Sequence, residues 1–135
     1  MGNLENINLL AVGAAALSSF LIGGLWYSPV LFGNTWNKEA GNPSKAGQGH
    51  PAKVFGLSFV FALISAFAYA GFIPLQTTSM AGFVQGAGMG AGLVAASFGI
   101  NYQFANRSGM MWLIDGGYHT VQFAVYGLIL AIWQR

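Results

Sequence analysis

The sequence contains no cysteine and very little charge. Without cysteine, disulfides, zinc–thiolate sites and cysteine nucleophiles are all excluded. Charged residues make up 6% of the 135 positions, against about 25% in an ordinary soluble domain. A chain this short shows most of its residues to its surroundings. Five basic and three acidic side chains cannot solvate that surface, so a water-soluble globule is not expected. Disorder is excluded too, because it needs high charge and low hydrophobicity, whereas 55% of this chain is hydrophobic. A net charge of only +2 gives no basic patch for nucleic acid.

The few charges are unevenly placed. Residues 6–37, 54–106 and 116–134 carry none. A helix crossing a bilayer needs about 20 mostly apolar residues, each advancing about 1.5 Å through a core of about 30 Å. The uncharged stretches predict one membrane domain over 1–135, an all-α bundle of four transmembrane helices at about 7–27, 54–75, 80–104 and 110–133. A membrane β-barrel would alternate apolar and polar residues, and the run Val54-Phe-Gly-Leu-Ser-Phe-Val-Phe-Ala-Leu-Ile64 does not. The N-terminus opens with Glu5 and no Lys or Arg, unlike a signal peptide, so the first helix is expected to be retained. Ser28-Pro29 and Pro74 mark helix ends, because proline lacks the N–H that a continuing helix requires. Residues 30–40 mix large apolar groups with charge and are expected to lie at the membrane surface. Residues 41–51 form a linker rich in Gly and Pro.

Four helices place both termini on one side and the 28–53 and 105–109 loops on the other. The loops hold Lys38, Lys45, Lys53 and Arg107, and the terminal side holds Arg135. The positive-inside rule then puts the loops in the cytoplasm and the termini outside. Trp26, Tyr27, Trp36, Trp112 and Trp133 fall near helix ends, where amphipathic rings anchor in the headgroup zone.

Small residues four apart let helix backbones approach closely in lipid, where burial of leucine gives no driving force. The third span carries such rows: Gly82, Gly86 and Gly90; Gly88, Gly92 and Ala96; Ala87, Ala91, Ala95 and Gly99. The first and second spans carry shorter ones, including Ala11-Ala15-Ser19-Gly23 and Ser58-Ala62-Ala66-Ala70. These rows place the third span at the centre of the bundle, or against a second copy of the chain. A phosphate loop is excluded at Gly86–Gly92, since no lysine follows it.

Asp115 is the only acid inside a predicted span. At mid-membrane an Asp costs about 2.5–3.5 kcal/mol, so it faces protein or a water cavity and has a partner. His119 follows one turn later, and Gln122 and Tyr126 continue the same stripe, with Tyr118 beside it. Asn101 lies about as far from the 105–109 turn as Asp115 does, while Ser58 and Tyr27 lie near the same membrane face. A polar cluster of Tyr27, Ser58, Asn101, Asp115, Tyr118 and His119 is therefore expected. It either clasps the helices together or handles protons, since histidine changes charge near neutral pH. Asp115 and His119 supply two metal ligands where zinc needs three or four, so no metal and no cofactor are expected. No serine sits in a nucleophile motif and no second acid pairs with Asp115, so no catalytic residue is assigned.

Two blocks, Gly23-Gly-Leu-Trp-Tyr-Ser-Pro-Val-Leu-Phe-Gly33 followed by Trp36, and Trp112-Leu-Ile-Asp-Gly-Gly-Tyr-His119, resemble the signature segments of the family catalogued as domain of unknown function 1761. These are small, mainly bacterial integral membrane proteins. The resemblance implies a four-helix protein of the bacterial inner membrane, with Trp26, Tyr27, Pro29, Asp115, Tyr118 and His119 in the family pattern. It transfers no reaction, substrate or ligand. The expected role is non-enzymatic, a structural or accessory subunit that self-associates or joins a larger membrane complex. The alternative is a small oligomeric, proton-coupled transporter using Asp115 and His119.

Overall fold

The computed structural model describes residues 4–41 and 51–133. After a short turn at Leu4–Asn6, the chain forms α1 (Leu9–Trp26), α2 (Gly33–Glu39), α3 (Pro51–Phe72), α4 (Ser79–Met89), a π-helical segment (Gly90–Ala95), α5 (Ala96–Phe104) and α6 (Gly109–Trp133). The expected all-α class holds, and no strand occurs among the described residues. Lys45, His50 and most of the 41–51 linker lie outside the described residues, as does Arg135.

Helix boundaries follow local chemistry. The Asn8 side chain accepts hydrogen bonds from the Leu10 and Ala11 N–H groups at 3.0 and 3.2 Å and caps α1. Thr78 caps α4 through Ala81 N at 3.2 Å, and Ser108 caps α6 through Met111 N at 3.1 Å. The α5–α6 turn closes with Arg107 N donating to Tyr102 O at 2.9 Å, with Asn106 at φ 55°. Asn tolerates that left-handed conformation better than most residues.

Alanines make up much of the interior, packed around Tyr126, Ile73 and Leu130, while many large apolar residues cover the outside. Ala11, Ala15, Ala66 and Ala70 are fully buried, whereas Leu21 is 78%, Phe61 67% and Phe104 90% exposed. A soluble domain does the reverse; lipid permits this pattern because it solvates Leu and Phe while close-packed backbones hold the helices together. Among the described residues, three helices are long and apolar enough to cross a membrane: Leu9–Trp26, Pro51–Phe72 and the continuous Ser79–Phe104. The fourth expected span, α6, is 25 residues long but is not among those three, and it is the one carrying Asp115, His119 and Gln122.

The expectation that the third span is central is corrected. α6 occupies the centre, packing on α1, α4 and the π segment, while α3 leans chiefly on α1. The reason lies in one glycine row. Gly82, Gly86 and Gly90 are buried, and a Cβ on any of them would strike the backbone of Gly127, Phe123 or His119 on α6. A Cβ on Gly88 or Gly92 would meet open space instead, so these two members of the second row do not face α6.

That packing register changes once. The positions facing α6 are Gly82, Gly86, Gly90, Ala95, Gly99 and Tyr102. The step from Gly90 to Ala95 is one residue longer than the α-helical step of four before it. It coincides with the π-helical segment, whose wider turn absorbs one extra residue.

Candidate functional site

The site is built where the chain reverses after α1. Phe32 N donates to Trp26 O at 3.0 Å and Gly33 N to Ser28 O at 2.9 Å, folding the chain back on itself. Gly33 is required there, because a Cβ would collide with the Tyr27 carbonyl oxygen and with Ser28. The reversal swings α2 over the end of α1 and onto α6. Residues 33–39 thus carry Trp36 to the bundle rather than merely resting on a surface.

Asp115 is the hub. Its side chain is almost completely buried. Tyr27 Oη donates to Oδ1 at 2.5 Å, and Trp36 Nε1 donates to Oδ1 and Oδ2 at 3.0 and 3.3 Å. Tyr102 Oη donates to Oδ2. One carboxylate therefore gathers neutral donors from the end of α1, from α2 and from α5. Such charge-assisted bonds are worth about 1.5–3 kcal/mol each, roughly twice a neutral pair. A carboxylate oxygen only accepts, so Tyr27 contributes its hydroxyl proton to that bond.

The surrounding glycines and aromatics fix this hub. Trp26 Nε1 donates to Ile114 O at 2.8 Å, Trp112 Nε1 to Ala95 O at 2.7 Å and Tyr118 Oη to Ser19 O at 2.9 Å. The Trp26 ring lies against Gly117, the Trp112 ring against Gly116, and Tyr118 against Gly23. Trp26, Trp36 and Trp112, expected as interfacial anchors, act here as staples between helices. Trp133 is half exposed at the end of α6.

Of the six residues expected to cluster, Tyr27 and Asp115 meet directly. Tyr118 sits beside them, its ring centroid 5.6 Å from that of Tyr27. The expectation for Asn101 is corrected: it is exposed, and its neighbour Tyr102 takes the place at Asp115. The π-helical step is the cause, since it turns the following helix by one residue. Ser58 is also corrected. It is exposed near the start of α3, where the helix has not yet reached the core; burial in α3 starts at Ala62. His119 shares a helix face with Asp115 but no hydrogen bond. Its Nδ1 lies 2.6 Å from Gln122 Oε1, and Gln122 Nε2 donates to Tyr126 Oη at 2.8 Å. The expected cluster is thus two separate networks. Among the described residues, no three His, Asp or Glu side chains group as metal ligands.

Sequence reasoning missed Tyr102 as a partner of Asp115 and missed Trp36 in that role. A Trp-x-Lys-Glu segment just after a span reads as a surface anchor, and nothing local signals the reversal except Gly33.

Fold and site together define an α-helical bundle of membrane-spanning character, closed at one end by a buried carboxylate. The chain matches the model of the family described as Protein of unknown function (DUF1761) over residues 10–131, and it belongs to that family. No curated protein and no solved structure matches it. The two blocks singled out in the sequence pack on each other, since Gly23 meets Tyr118, Trp26 meets Gly117 and Trp36 meets Asp115.

Proposed function

We propose that the protein is a four-span integral membrane protein of the bacterial inner membrane with a non-enzymatic role, as a structural or accessory subunit that self-associates or joins a larger membrane complex. α6 is the fourth span. Its 25 residues would cover about 37 Å at 1.5 Å each, enough for the bilayer core. Asp115, Gln122 and Tyr126 are buried inside the bundle, which is what lets a helix with polar residues cross lipid. The open edge at Gly88 and Gly92 is the face offered to a second copy.

The observation that carries the structural role is the set of donors on Asp115. Tyr27, Trp36 and Tyr102 occupy both carboxylate oxygens, as a clasp requires. A proton carrier would instead keep the acid reachable and coupled to His119, and these two share no hydrogen bond.

Asp115→Asn separates the two roles. In proteoliposomes under a pH gradient, the clasp predicts proton leakage equal to that of empty vesicles for both proteins. It also predicts that the variant loses about 1–3 kcal/mol of stability in detergent, because an amide cannot accept from all three donors. Proton flux in the unsubstituted protein that vanishes in Asp115→Asn would overturn the clasp.

A further inference from the structure

A groove of about 640 Å³ opens between α1, α3, the π segment, α5 and α6, and Asp115 does not line it. Its volume falls in the range of small-molecule sites, about 300–1,000 Å³. The walls carry Phe20, Phe61, Phe98 and Phe123, with His119 and three serines among them. Phe98 lies over the His119 ring, centroids 4.8 Å apart and planes at 35°. The groove is open sideways because α3 leans chiefly on α1 rather than closing against α4 and α5.

His119 gives this groove a definite chemistry. Gln122 directs its amide nitrogen to Tyr126 and its carbonyl oxygen to His119 Nδ1. In the neutral ring, the nitrogen that faces a carbonyl oxygen is the donor, which leaves Nε2 as the acceptor. Nε2 has no hydrogen-bond partner among the described residues. A partly buried acceptor left without a donor is costly, and a ligand that supplies one is rewarded. Depth restricts the ligand. His119 is ten residues into α6, about 15 Å along a core of about 30 Å. Charged and zwitterionic headgroups do not reach that depth at acceptable cost, whereas a neutral hydroxyl does. Four phenylalanines favour an aromatic ring over a plain alkyl alcohol, since ring edges and faces pair well.

We propose that this groove binds a lipid-soluble quinol. One phenolic hydroxyl donates to His119 Nε2, the ring lies among Phe20, Phe61 and Phe98, and the aliphatic tail leaves sideways past α3 into lipid. The depth argument rests on α6 being a membrane span.

The test uses the full chain in lipid nanodiscs, loaded with decylubiquinol, decylubiquinone or dodecanol, with retained compound measured against empty discs. The expected result is saturable retention of decylubiquinol, about tenfold tighter than decylubiquinone, which lacks the donor hydroxyl, as one hydrogen bond to a buried acceptor implies. Dodecanol, a hydroxyl without a ring, is expected to bind no better than the quinone. His119→Phe keeps the stacked ring but removes the acceptor, and should bring the quinol down to the quinone level. Ser58→Leu, at an exposed position on the α3 wall, should fill the groove and lower quinol retention without touching the core. Retention no higher than in empty discs, equal binding of quinol and quinone, dodecanol binding as tightly as quinol, or indifference to both variants would each overturn the site. Failure of the chain to co-elute with discs would instead overturn the membrane reading, and the site with it.

Discussion

At the scale of single residues, the Asp115 carboxylate draws Tyr27, Trp36 and Tyr102 together from three separate segments of the chain. An acid inside an uncharged helix announces a buried, partnered site on energetic grounds alone. Which donors reach it depends on how the neighbouring helices are turned. Depth along the chain pointed to Asn101, and depth was right to within one residue. Rotation was not, because the π-helical turn at Gly90–Ala95 shifts the facing residue to Tyr102. The two positions can be compared directly. Tyr102→Phe is expected to lower stability by about 1–3 kcal/mol, since it removes a donor to a buried carboxylate. Asn101→Ala is expected to change it by less than about 0.5 kcal/mol, as exposed positions do. Unfolding in mixed detergent micelles reads both, and equal losses would contradict the assigned register.

At the scale of elements, the helices were readable because their signals are local. Uncharged stretches gave their lengths, and Pro29 and Pro74 marked where two of them stop. The order of packing was less readable, since several small-residue rows compete on the third span and sequence alone does not rank them. The structure does: Gly82, Gly86 and Gly90 touch α6, whereas a Cβ on Gly88 or Gly92 would meet open space. Gly86→Ala is therefore expected to force α4 away from α6 and cost about 1–3 kcal/mol, the usual penalty for overpacking. Gly88→Ala should be neutral or gain up to about 1 kcal/mol in helix propensity. The same unfolding measurement applies, and a harmless Gly86→Ala would mean that α4 and α6 are not in backbone contact.

For the whole molecule, the membrane character came from charge scarcity, and the structure adds an interior of alanine and glycine beneath an exterior of leucine and phenylalanine. What composition did not settle is the standing of α6, whose polar residues keep it apart from the three plainly apolar helices. Its place at the centre of the bundle, with Asp115, Gln122 and Tyr126 buried against protein, supports the proposed fourth span. The basic residues Lys38 and Arg107 lie on α2 and in the α5–α6 turn, and the proposed orientation, with the Asp115 end facing the cytoplasm, rests on them through the positive-inside rule.

The chain has no cysteine, so single-cysteine variants can be labelled without background to test whether α6 crosses the bilayer. In intact cells, a membrane-impermeant maleimide should label Gln76→Cys and Trp133→Cys from outside. It should reach Asn37→Cys and Ala105→Cys only after permeabilisation. Trp133→Cys and Ala105→Cys labelling from the same side would contradict a fourth span through α6.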